Sequence, residues 1–73
     1  MPHVVIKTVS GPSKQQLQDA AVQIAAIVNK TMEKPEKYIS VSVEEYTSEE
    51  WKGVYNEYVK DKDNLLVKPD YSL

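Results

Sequence analysis

Apolar positions along the chain fall into four runs with different periods. Between His3 and Val9, three consecutive apolar residues, Val4, Val5 and Ile6, sit in a β-branched setting, which predicts a strand covered on both faces. From Lys14 to Met32 the period lengthens. Leu17, Ala20, Ala21, Ile24, Val28 and Met32 recur at three- and four-residue steps, with Gln15, Gln18, Asp19, Asn29 and Lys30 on the other side; this predicts an amphipathic helix. Val22 and Ala26 widen the stripe, either as a generous core face or as contact with a second subunit. Tyr38 to Tyr46 alternates Ile39, Val41 and Val43 with Ser40, Ser42 and Glu44, the period-two pattern of a strand whose apolar face packs on the helix. Trp51, Val54, Tyr55 and Tyr58 return to helical spacing, and Leu65-Leu66-Val67 predicts a last helical turn.

The residues between the runs support these boundaries. Ser10-Gly11-Pro12 interrupts the first strand. Ser13 followed by Gln16 has the spacing of a capping box. Pro35, within Glu33-Lys34-Pro35-Glu36-Lys37, cannot continue the long helix. Thr47 or Ser48 can cap the second helix, and Glu49 and Glu50 suit the positive end of its dipole. Lys68-Pro69-Asp70-Tyr71 is a closing turn.

Strand, nineteen-residue helix, strand is a βαβ unit of the α/β class, with parallel strands and a right-handed crossover. A short C-terminal helical segment follows. Residues 1–73 form a single domain. Two strands alone make a poor sheet, so the expected assembly is a homodimer with a four-stranded sheet.

Composition narrows the function. Seventy-three residues lie near the lower limit for a self-sufficient core. There is no cysteine and a single histidine, His3, so neither a disulfide nor a thiolate or histidine-rich metal site is available. Nine basic and eleven acidic residues give a net charge of −2 without a basic block, which argues against nucleic acid. No signal peptide or membrane span is visible, and the expectation is a soluble cytoplasmic protein. Glu44, Glu45, Glu49 and Glu50 read as solvated and capping groups, since no second ligand cluster supports a metal. Four of the six aromatic residues, Trp51, Tyr55, Tyr58 and Tyr71, lie in the last third and suggest a covering segment.

The residue with distinctive chemical potential is Pro2. Removal of Met1 turns its nitrogen from an amide into a free secondary amine, a base fixed to the end of a strand. His3 points the opposite way along the strand, which counts against a catalytic role.

An N-terminal proline after methionine, a strand, a Gly-x-Ser turn capping a long helix and a second strand together resemble the 4-oxalocrotonate tautomerase family, over essentially the whole chain. The start Met1-Pro2-His3, Trp51 at the opening of the C-terminal helix and Lys68-Pro69-Asp70-Tyr71-Ser72 look like the longer-tailed dimeric small tautomerases that act on phenylpyruvate-like enols. Asp70 stands where those proteins have glycine. Pro12 and Ser40 fall where the hexameric members place arginines that would hold a dicarboxylate by paired hydrogen bonds. The resemblance therefore implies a cofactor-independent isomerase acting on a smaller or more apolar enol or keto acid, with Pro2 as general base.

It also aligns Trp51 with the family's active-site phenylalanine, as a pocket wall, although Trp51 reads as a core anchor too. Lys7 or a helix N-terminus would lower the Pro2 amine's pKa from about 8. A backbone N–H, Ser40 or Tyr55 would polarise the carbonyl oxygen. The alternative is a non-catalytic homo-oligomeric binding protein on the same fold.

Overall fold

The computed structural model describes all 73 residues, Met1–Leu73. The chain runs through β1 (His3–Val9), α1 (Lys14–Met32), a 3₁₀ turn (Glu36–Tyr38), β2 (Ser40–Tyr46) and α2 (Ser48–Val54), which passes directly into a π-helical turn at Tyr55–Val59. Helix α1 starts where the capping pattern predicts. Ser13 Oγ accepts from the Gln16 N–H at 3.1 Å, and Gln16 Oε1 accepts from the Ser13 N–H at 2.8 Å. At its other end Glu33 adopts the left-handed conformation, φ 56° and ψ 45°, a common way to stop a helix. Asn29 Nδ2 then donates to the Lys34 carbonyl at 2.6 Å.

The second strand begins two residues later than the alternation predicts. Pro35 leads a tight turn in which the Tyr38 and Ile39 N–H groups donate to the Pro35 and Glu36 carbonyls, each at 3.0 Å. Tyr38 is thereby held in a 3₁₀ turn rather than a ladder.

The two strands are parallel, with His3 opposite Ser40, Ile6 opposite Val43 and Val9 opposite Tyr46. This register gives the sheet two unlike faces. Val4, Ile6, Val41 and Val43 make the apolar one, and α1 lies on β2. His3, Val5 and Lys7 share the other face with Ser40, Ser42 and Glu44. Helix α2 packs against both strands. Its segment covers only the C-terminal end of that second face, where Trp51 meets the Tyr46 ring edge-on at 6.2 Å and Tyr58 lies under Lys7.

Two expectations for the helices change. Met32 is exposed rather than part of the core stripe, as are Val22 and Ile27. Leu65-Leu66-Val67 forms no helical turn. Three residues between a polar break and Pro69 cannot nucleate a helix, and Leu66 stands 96% exposed.

Only Val54 and Tyr55 are buried, at 7% and 6% exposure. The radius of gyration is 13.7 Å, against about 11 Å for a closed domain of this length. A single chain therefore encloses little core. No helix is long and apolar enough to cross a membrane.

Candidate functional site

Pro2 is half-buried at the mouth of β1. Its carbonyl accepts from the Ser40 N–H at 3.2 Å, which ties it to the first residue of β2. Met1 projects outward, 96% exposed. With Met1 attached, the Pro2 nitrogen is an amide and carries no basic lone pair.

Ser40 reaches Pro2 through its backbone and His3 through its side chain. His3 Nδ1 lies 2.6 Å from Ser40 Oγ, and His3 Nε2 lies 3.3 Å from Ser42 Oγ. A neutral imidazole has one donor and one acceptor nitrogen. If Nδ1 carries the hydrogen, Ser42 donates to Nε2, His3 donates to Ser40, and the Ser40 hydroxyl hydrogen stays free for another acceptor. This Ser42–His3–Ser40 chain is absent from the sequence expectations. Alternation puts His3 on one face, but only the His3–Ser40 register puts the serines on the same face.

Trp51 and Tyr55 belong to the other end of the sheet. Trp51 is half-buried and donates from Nε1 to the Tyr71 hydroxyl at 3.0 Å. Tyr55 is one of the two buried residues, with its ring centroid 5.5 Å from that of Tyr71. The six steps from Ser40 to Tyr46, the residue Trp51 packs on, span about 20 Å at ~3.3 Å per residue. Within one chain the structure thus brings Pro2 and the Ser40 backbone together, turns the Ser40 side chain to His3, and keeps Trp51 and Tyr55 at the other end of the sheet.

Lys7 is likewise remote, since five strand steps from Pro2 make about 17 Å at ~3.3 Å each. Its charge is also engaged. Lys7 Nζ pairs with Glu44 Oε1 at 2.7 Å and reaches the Tyr46 hydroxyl at 3.3 Å, while Tyr46 donates to the same Glu44 oxygen at 2.6 Å. The ammonium also lies 4.6 Å from the Tyr58 ring centroid, a cation–π contact. The hydrogen bonds to Glu44 and then Tyr46 raise the Lys7 pKa. Those from Lys7 and then Tyr46 hold the Glu44 carboxyl below its ordinary range. The Glu44 carboxylate raises the Tyr46 phenol. This cluster fastens the two strands together and supplies no free charge to Pro2.

No group of three or more His, Cys, Asp or Glu converges as a metal site. A cavity of about 180 Å³, open to solvent on one side, lies under the C-terminal segment, bounded by Tyr55, Leu65 and Tyr71 among others. Neither Pro2 nor Ser40 lines it.

No family model matches the chain, and no curated protein does. Among solved structures, it is similar to the crystal structure of TomN, described as a 4-oxalocrotonate tautomerase homologue in the tomaymycin biosynthetic pathway, with a TM-score of 0.66 and 26% identity over 68% of this chain and 77% of that one.

Proposed function

We propose, for a chain that belongs by its fold to the tautomerase superfamily, that it is a cofactor-independent keto–enol tautomerase acting on a small aromatic or apolar 2-keto acid, with Pro2 as general base once Met1 is removed. The observation that carries this reading is the likeness to a tautomerase homologue, in a chain whose Pro2 is anchored to Ser40 beside an outward-projecting Met1.

In the proposed reaction the neutral Pro2 amine takes the proton from the enol hydroxyl and returns it to the adjacent carbon as the C=O forms. The developing oxygen charge needs a donor. Ser40 supplies it through the hydroxyl hydrogen left free when His3 donates from Nδ1. His3 and Ser42 are then positioning residues. Desolvation of the amine lowers its pKa towards neutrality; Lys7 is too distant and too well paired to do so.

A second copy completes the pocket in this reading. A two-fold axis perpendicular to the sheet reverses strand direction, and so sets the N-terminal end of one strand pair beside the C-terminal end of the other. That arrangement makes a four-stranded homodimer and carries the partner's Trp51 towards Pro2 as an apolar wall. Tyr55 then serves behind Trp51, through Tyr71, rather than on the substrate.

The test compares Met1-bearing and trimmed protein in ketonising phenylenolpyruvate. General-base catalysis contributes about 10²–10⁴-fold, and retaining Met1 should remove most of it. Pro2→Ala, a primary amine in nearly the same place, should keep partial activity. The trimmed form's rate should rise with pH through one ionisation, because only the neutral amine accepts a proton. Equal rates for the two forms would overturn the mechanism and favour the non-catalytic binding protein.

A further inference from the structure

The cavity under the C-terminal segment is lined by groups that take no direct part in the proton transfer above, although Tyr55 and Tyr71 also back Trp51. Tyr55, Leu65 and Tyr71 supply apolar and aromatic surface, and Lys60, Lys62 and Lys68 stand around them. Asp61 is the single acidic residue of the lining, so the lining itself carries two more positive than negative charges, with Asp63 and Asp70 next to it in sequence but outside it. Three of the nine basic residues are gathered here.

Tyr55 adds a directional group. The residue is 6% exposed, and the Trp51 indole bonds the Tyr71 hydroxyl, not that of Tyr55. The Tyr55 hydroxyl has no partner in the chain, yet no polar side-chain atom is sealed without one. Tyr55 lines the cavity, and its hydroxyl keeps a hydrogen to donate.

Size and polarity together select the ligand. About 180 Å³ falls below the ~300–1,000 Å³ of sites for drug-sized molecules. It slightly exceeds the ~150 Å³ apolar cavity that accepts benzene. The space thus takes one ring and a short chain. Inorganic phosphate would leave the aromatic floor unused, and a metal ion would find one carboxylate and three ammonium groups.

We propose that the C-terminal segment forms a binding site for a small aromatic monocarboxylate, separate from Pro2. The ring packs against Tyr55, Leu65 and Tyr71. The carboxylate meets the lysines at the mouth and accepts from the Tyr55 hydroxyl. This site stands whether or not Pro2 is a base.

The test is an amide chemical-shift titration of the whole chain with 3-phenylpropanoate, which is saturated and cannot be turned over as an enol. Expected are saturable shifts centred on Val59–Tyr71, with a millimolar Kd suited to so small a ligand. The neutral 3-phenylpropanamide should bind several-fold more weakly, as should the Lys62→Gln/Lys68→Gln double variant, whose exposed substitutions leave the packing intact. Tyr55→Phe, which keeps the ring, should also lose affinity. Shifts centred on Pro2 and Ser40, no saturation, or equal affinity for acid and amide would overturn the proposal, as would an unchanged Kd in the double variant. Because no readout depends on turnover, loss of this site and loss of tautomerase activity are separately visible.

Discussion

Tyr55 carries a large share of the core that a single chain possesses. It is 6% exposed, and its only comparably buried companion is its neighbour Val54. A buried tyrosine removes about 150–250 Å² from water. At ~25 cal/mol per Å² this gives about 4–6 kcal/mol as an upper figure, and buried aromatic-to-alanine changes cost about 3–5 kcal/mol. The contact with Tyr71 at 5.5 Å lies in the range where ring pairs add ~0.5–1.5 kcal/mol. Tyr55→Ala should therefore destabilise the protein by about 3–5 kcal/mol. Tyr55→Phe should cost under ~1 kcal/mol, because the hydroxyl has no partner in the chain to lose. Urea unfolding at matched protein concentration, followed by Trp51 fluorescence and by circular dichroism, measures both. A loss below about 1 kcal/mol in Tyr55→Ala would refute the core assignment. A large loss in Tyr55→Phe would show that the hydroxyl holds a structural bond and is not free to face a ligand.

Glu44 makes stability depend on acid. Its folded pKa is depressed from the ordinary 4.5 by Lys7 and Tyr46, so its contribution is present above that value and lost as pH falls through the lower folded one. Glu44→Gln should flatten the stability profile below about pH 4.5; an unchanged acid limb in pH-dependent urea titrations would contradict this. Sedimentation equilibrium at micromolar protein should find a dimer, and a stable monomer or hexamer would exclude the four-stranded assembly.

The elements that the sequence makes legible are those with local causes. The Ser13–Gln16 box predicts the start of α1 because the bonds lie within three residues. The Val41–Val43 alternation predicts the apolar face of β2 because strand period is a property of the backbone. Tyr38 is misassigned because Pro35 starts a 3₁₀ turn that competes with the ladder. No residue type marks the π-helical turn at Tyr55–Val59, where the Lys60 N–H bonds to the Tyr55 carbonyl at 2.8 Å.

For the candidate site, the Ser40 N–H meets the Pro2 carbonyl because parallel pairing aligns the two strand starts. The His3 bridge to Ser40 and Ser42 depends on inter-strand register, which no local window contains. The distance from Pro2 to Trp51 depends on where α2 packs, a tertiary fact.

In a two-stranded sheet, both strands are edges. β1 and β2 each offer seven residues with one side of the backbone already hydrogen-bonded and the other bare. Proteins usually guard such borders with proline, a bulge or an unpaired lysine. Here neither strand contains proline, and Lys7 is committed to Glu44. A single chain is thus a template for any other extended segment, with Val4-Val5-Ile6 as the adhesive part. The proposed dimer and aggregation would draw on the same bare backbone groups, so the yield of paired protein would be a race between them. High expression rates, which favour indiscriminate encounters, should fill inclusion bodies, and slow synthesis should favour the ordered pair.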